Sequence, residues 1–278
     1  MADIGNWCGF VISRIEESGR GQQMWSNAVV LKPLRTVGQF IAFALETLVT
    51  LFTTRLAVIE LLQQLWFVAR VSMFPALMVS IPFVVLNVFT FNVLLIEFGA
   101  ADFSGTGAAL GAVNQIGPIV TVLVVAGAGA TAMCADLGAR TIREELDALR
   151  VMGIDPIQAL VVPRVLAATV VALLLSSLVT VAGLIGGFFF AVFFQHVTPG
   201  AFVTGLTFIT GLTDVVVSMV KATVFGLVAG LVACFQGINV DGGPAGVGNA
   251  VNETVVFSFI VLFIINVVIT AVGFEVAK

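Results

Sequence analysis

The sequence predicts an all-α integral membrane protein: N-terminal interfacial amphipathic helices, five transmembrane helices, and a short charged helix between the second and third spans. Of the 278 residues, 59% are hydrophobic and 10% are charged, whereas a soluble domain carries about 25% charged residues. The mean hydropathy is +1.14. The apolar runs are continuous and long, as membrane helices require, and lack the short alternating strands of a membrane β-barrel.

The first 30 residues are mixed and polar, and we expect a cytoplasmic segment over 1–30. They lack the basic start, apolar core and small-residue cleavage site of a cleaved signal peptide. The cysteines are far apart and form no metal or redox motif, so we expect reduced, apolar fillers at Cys8, Cys134 and Cys234.

The next segment, 31–71, is apolar but is interrupted by charges too often for a comfortable span. It fits one or two amphipathic helices in the membrane interface, with basic residues reaching the headgroups and Trp66 at the boundary. The alternative is a first spanning helix around 37–54 that carries Glu46 inside the membrane, at the cost of a central carboxylate.

A five-span permease domain is predicted over 72–278. Pro75 and Pro82 are expected to kink the first span. Pro163 and Arg164 are expected to mark a bend before the third span, which should run from about 166 onward. The spans are predicted at about 72–98, 115–137, within 157–195, 207–235 and 254–274.

Lysine and arginine set the expected orientation, because they accumulate on the cytoplasmic side of membrane helices. Six of the twelve precede the first span and four cluster between Arg140 and Arg164, while the 99–114 and 196–205 loops contain none. We therefore expect a cytoplasmic N-terminus, a cytoplasmic charged segment and, with five spans, an external C-terminus.

The charged segment "ARTIREELDALRVMGIDP", residues 139–156, predicts a helix over about 141–153. Thr141 is a candidate N-cap, with Glu144 at capping-box spacing. Glu144 and Glu145 lie near the positive end of the helix dipole. Arg143 and Asp147 are spaced for an i,i+4 ion pair.

One face of this helix is apolar, and its end is well marked. Gly153 is expected to end the helix, and the following Asp-Pro prevents its continuation. Spacing alone leaves two interpretations open: a helix that docks into a groove on a cytoplasmic partner, or a solvated connector. The apolar stripe consists of Ile142, Leu146, Leu149 and Met152.

The stretch "EELDALRVMGIDPIQALVVPRVLA" resembles the most recognisable part of the MlaE/YrbE permeases, membrane subunits of lipid-transporting ABC systems that work with Mce proteins. Further similarity lies in "VKATVFGLVAGLVACFQG" at 220–237 and "GGPAGVGNAV" at 242–251. The resemblance covers about residues 55–275. The Val/Ala-rich character and the absence of tyrosine resemble an actinobacterial YrbE branch.

The resemblance implies a division of labour among subunits. Two permeases, identical or different, pair above cytoplasmic ABC ATPases that bind ATP and Mg, and Mce proteins guide lipid outside the membrane, so this chain is a non-enzymatic subunit of an importer in the inner (plasma) membrane. The 141–153 helix is then the coupling helix that enters the ATPase groove. Its implied contact residues are Arg143, Glu144, Glu145, Leu146, Asp147, Ala148, Leu149, Arg150, Met152 and Gly153.

Two other features bear on a lipid path. Lys221 falls near the middle of the fourth span, where an ammonium is costly unless paired or hydrated. It either meets an acidic lipid headgroup or ties helices together. Phe83, Phe89 and Phe91 either line an apolar path or face lipid.

Other functional classes fit the sequence less well. "GGPAGVG" at 242–248 lacks the GK[ST] of a nucleotide-binding loop, and the composition gives no sign of nucleic-acid binding. The alternative to the ABC permease is a stand-alone secondary transporter or channel for a hydrophobic solute, which predicts ionisable residues in the spans and repeated halves. A polytopic lipid enzyme would need a polar catalytic cluster at the interface.

Overall fold

The computed structural model describes residues 35–53, 57–98, 111–112, 116–209 and 211–276, and within these ranges it contains helices and no strand. The predicted all-α membrane fold is confirmed. The chain divides into two units, Met1–Leu48 and Val49–Lys278. The segment predicted for 1–30, together with Cys8, lies outside the described residues.

Helix α1 spans Arg35–Thr53 and is long and apolar enough to cross a membrane. By length and composition, six helices of the described chain meet that criterion, where five spans were expected. An interfacial α1 and a membrane-crossing α1 therefore both remain predictions.

Helix α2 runs without a break over Val58–Glu97, through Pro75 and Pro82. It begins well before the span predicted for 72–98, so the second half of the expected interfacial segment belongs to this helix. Its 40 residues measure about 60 Å, twice the roughly 30 Å of a bilayer core. Its buried face carries every fourth residue: Gln64, Val68, Ser72, Ala76, Ser80, Val84, Val88 and Asn92.

A helical hairpin follows. Helix α3 spans Gly117–Ile142, with a π-helical turn at Val125–Ala130. The short helix α4 covers Glu145–Val151. Helix α5 covers Ile157–Phe194 and opens with a π-helical turn at Ile157–Val161. The helix therefore begins about nine residues before the span expected from about 166, and it continues through Pro163, which lies in the first turn of its α-helical part.

The remaining helices are α6, Pro199–Ile209, α7, Leu212–Ile238, and α8, Pro244–Val276. Helix α6 was not predicted and occupies most of an expected loop. The turn between α7 and α8 contains Gly242 and Gly243 at φ +81° and +78°. Helix α8 begins directly after it, about ten residues before the span predicted there.

Helix α5 lies at the centre of the packing. The Val84 and Val88 side chains of α2 fill the space above Gly183 and Gly187 of α5. On the other side, a Cβ on Gly226 of α7 would lie 2.6 Å from the Ala168 carbonyl oxygen. Glycine therefore allows α5 and α7 to approach backbone to backbone, as small residues do between membrane helices.

Candidate coupling site and lipid path

Helix α4 is separated from α3 by a break at Arg143 and Glu144. Glu144 adopts φ +59°, and its N–H donates to the Thr141 carbonyl at 3.0 Å. The predicted single helix over 141–153 was therefore wrong at its start. Thr141 lies inside α3 and is no N-cap: its hydroxyl oxygen lies 3.0 Å from the carbonyl oxygens of Leu137 and Gly237, which share its single proton.

The end of α4 is as predicted. Gly153 adopts φ +75°, and its N–H donates to the Arg150 carbonyl at 3.0 Å. The Ile154 N–H donates to the Leu149 carbonyl, also at 3.0 Å. These two bonds form a Schellman motif, in which glycine takes the left-handed position. The Asp155 carboxylate then accepts the Ile157 N–H at 3.0 Å and caps α5.

The charges of α4 pair differently from the expectation. The predicted Arg143–Asp147 pair was wrong: Arg143 lies 3.0 Å from a Glu145 carboxylate oxygen, because the break at Glu144 removes the i,i+4 spacing. Arg150 lies 2.9 Å from Asp147. All four side chains are at least 43% exposed, so each pair contributes at most about 1 kcal/mol.

The apolar residues of α4 face two ways. Leu146 is buried and anchors the helix to the bundle, and Leu149 and Ile142 are half-buried. Met152 points outward, with Val151 and Ile154 beside it; Val151 is 88% exposed. We call Val151, Met152 and Ile154 the apolar tip. The apolar stripe predicted from the sequence included Met152 but not Val151. Val151 is exposed because it lies at the end of α4, where the Schellman motif turns the chain.

A buried ionic cluster lies next to this hairpin. The Arg164 side chain of α5 is fully buried, and one guanidinium nitrogen lies 2.6 Å from an Asp136 carboxylate oxygen of α3. The other terminal nitrogen donates to the Leu160 carbonyl at 2.9 Å and lies 3.8 Å from a Glu60 carboxylate oxygen of α2. Arg164 was predicted to mark a bend, and the sequence analysis did not predict its burial. Its partners are 28 and 104 positions away, so spacing could not reveal them.

The turn between α7 and α8 closes over the same end of the bundle. Val240 and Val247 pack at Gly138 of α3, where a Cβ would meet them at 3.0 and 3.5 Å. Beside this contact lies a polar pocket of about 240 Å³, lined by Gln236, Asn239, Val240, Asp241, Gly246, Asn249, Ala250 and Glu253.

Lys221 of α7 is buried, with 3% of its surface exposed. Among the side chains that the structure describes, it has no hydrogen-bond or ion-pair partner. Asp214, seven residues before Lys221 on the same helix, accepts the Gly211 N–H at 3.1 Å.

The three predicted path phenylalanines lie on α2 and are partly exposed: Phe83 by 47%, Phe89 by 49% and Phe91 by 38%. Phe89 packs edge-on against Phe190 of α5, with ring centroids 6.1 Å apart. Lys221 lies on α7, so the predicted path residues come from two helices.

Comparison with known proteins places these features in a family. Residues 61–272 match the family model described as permease MlaE. A probable ABC transporter permease protein of Synechocystis is 32% identical over 68% of this chain and 72% of its own length. Another from Rickettsia bellii is 28% identical over 90% and 98%. The intermembrane phospholipid transport system permease protein MlaE of Haemophilus influenzae is 29% identical over 66% and 70%.

The family match covers most of α2 and α8 and all of the helices between them, including the α4 hairpin, Asp136, Arg164 and Lys221. This multi-pass membrane chain belongs to the MlaE permease family.

Proposed function

We propose that this chain is the transmembrane permease subunit of an ABC-type lipid transporter in the inner membrane. It works with a second permease, a cytoplasmic ATPase and external Mce proteins, and it imports lipid. The observation that carries the proposal is the apolar tip of α4, which stands exposed on a short charged helix between two long apolar helices. The relatives named as ABC transporter permeases support it.

Helix α4 docks into a groove of the ATPase in this proposal. Val151, Met152 and Ile154 supply the apolar contact, and the surrounding charges of Glu144, Glu145 and the two ion pairs fix its orientation. ATP and Mg bind to the partner, which hydrolyses ATP. The excess of lysine and arginine near α4 supports a cytoplasmic location for this end and for the N-terminus, with the C-terminus outside.

The transported molecule is a hydrophobic lipid of the fatty acid, phospholipid or sterol class. The name of the Haemophilus influenzae relative, which concerns phospholipid, supports this class. Phe83, Phe89 and Phe91 offer apolar contact to acyl chains, and Lys221 offers a cation for an acidic headgroup. The chain itself performs no bond-making chemistry: its cavity changes shape when the ATPase moves α4.

The direct test reverses the charges at Glu144 and Glu145, with Glu144→Lys and Glu145→Lys combined, in the complete complex. We expect co-purification of the ATPase and lipid uptake to fall together. Glu97→Lys, at the far end of α2, is the matched control and should keep both. Unchanged assembly and uptake in the double variant would contradict the proposal, and uptake that persists without any ATPase would favour a stand-alone transporter.

A further inference from the structure

The buried cluster around Arg164 joins three helices. Asp136 comes from α3, Arg164 from α5 and Glu60 from α2, with nitrogen–oxygen distances of 2.6 Å to Asp136 and 3.8 Å to Glu60. Arg140 adds a second contact to Asp136 at 3.5 Å. The Gln64 amide donates to Glu60 at 3.0 Å. The cluster therefore contains two guanidinium groups and two carboxylates, and its formal charges cancel.

The cluster lies at the base of the α4 hairpin. Asp136 is about two turns before the end of α3, and Arg164 is about two turns after the start of α5, so each is roughly 10 Å along its helix from the α4 connection. The short Arg164–Asp136 contact holds α3 and α5 together near the points where they connect to α4. A displacement of α4 is therefore expected to move α3 and α5 together.

Glu60 extends this connection to α2. Its contact with Arg164 is the longer of the two, and its side chain is 23% exposed, while Arg164 is fully buried. The Arg164 Nε has no hydrogen-bond partner within the described residues. Arg164 therefore holds Asp136 firmly and Glu60 loosely, with one donor still available.

Stability alone does not account for such a group. Burying a guanidinium removes it from water, and well-packed apolar residues in its place are often as stable or more so. The cluster does, however, connect one hairpin to a third helix.

We propose that Arg164 is a positioning residue for coupling: through Asp136 and Glu60 it makes the α4 hairpin and the first turns of α2 move together. The displacement that the ATPase imposes on α4 then reaches α2, the long helix that carries the phenylalanines of the lipid path. This inference rests on the proposed function, because it assumes that a partner moves α4.

The test measures hydrogen exchange in the complete complex with and without ATP and Mg, in segments 141–153 and 58–68. The variants are Glu60→Gln, Glu60→Asp, which keeps the charge on a shorter side chain, and Glu97→Gln, the same substitution at the far end of α2. Lipid transport per ATP hydrolysed is measured in parallel.

In the wild-type complex and in Glu97→Gln, we expect ATP to change exchange in both segments. In Glu60→Gln, the change should persist in 141–153 and be lost in 58–68. Transport per ATP should fall about tenfold, a common size for coupling between two sites. Glu60→Asp should give exchange and transport values between those of the wild type and Glu60→Gln. If the Glu60→Gln complex does not assemble, the Glu60→Asp complex provides the test.

A Glu60→Gln or Glu60→Asp complex whose two segments respond to ATP as in the wild type would overturn the inference. So would a wild-type response confined to 141–153. Failure of the wild-type chain to bind any ATPase is a different result, because it would remove the proposed function itself.

Discussion

The Asp136 carboxylate of α3 lies 2.6 Å from the fully buried guanidinium of Arg164 on α5. This contact closes the base of the hairpin that carries α4 and holds its charged, outward-facing helix at a fixed place on the bundle. The same hairpin ends in an apolar tip that has no cover from the described chain. The hairpin therefore has a base closed by an ion pair with the buried Arg164 and an exposed end that is free to contact a partner.

Removing the carboxylate at the base should destabilise the fold. Asp136→Ala leaves a buried guanidinium without its closest partner, which costs about 3–5 kcal/mol. Asp147→Ala is the matched control, because its pair with Arg150 is more than 60% exposed and is worth at most about 1 kcal/mol. Thermal unfolding in detergent measures both, and equal shifts would contradict the role of Asp136 as the partner of a buried guanidinium.

The α5–α7 contact should tolerate no side chain at Gly226. A Cβ there would lie 2.6 Å from the Ala168 carbonyl oxygen and 2.7 Å from the Thr169 Cα, so Gly226→Ala should cost about 1–3 kcal/mol or more. Gly248 in α8 has nothing within 4 Å of its Cβ position. Gly248→Ala should therefore be neutral or stabilising by up to about 1 kcal/mol, as measured by thermal unfolding.

Glu144 should respond differently to glycine and to alanine. Its φ of +59° costs a non-glycine residue about 1 kcal/mol, so Glu144→Gly should unfold at a higher temperature than Glu144→Ala. Both variants lose the carboxylate and should bind the ATPase equally weakly in a pull-down. Identical unfolding temperatures would show that the left-handed backbone conformation at position 144 does not lower the stability of the fold.

Lys221 should affect transport without affecting assembly. Lys221→Met removes the cation and should lower transport of an anionic lipid about tenfold or more, the size of one hydrogen bond to a charged group. Lys221→Arg should retain most transport, and both variants should co-purify with wild-type amounts of ATPase. Transport assays with anionic and neutral lipids check this; equal losses for both lipids would indicate a structural role.

Local features of the sequence predicted the end of α4 well. Gly153 and the following Asp-Pro determine that end through backbone conformation, which depends on adjacent residues only. The predicted start of this helix at position 141 was wrong because Thr141 bonds to the Gly237 carbonyl, 96 positions away, and because α3 continues to Ile142. Capping-box spacing carries no information about such a distant partner.

Charged residues in the apolar segments show most clearly what the sequence left open. The charges of segment 31–71, Glu60 and Arg70 among them, indicated an interfacial location, which stays a prediction; in the structure Glu60 lies near Arg164, and α2 continues through both positions. Arg164 was expected only to mark a bend, whereas its side chain is fully buried. The partner that makes its burial possible comes from another helix, so the pair was invisible until the helices were assembled.

A photo-crosslinker at position 151 in the native complex measures whether α4 docks into a separate ATPase. We expect a crosslink from this exposed position to the nucleotide-binding subunit, and none to that subunit from position 97 at the far end of α2. A crosslink from position 151 to an external protein, or none to the ATPase in an active complex, would contradict the docking of α4.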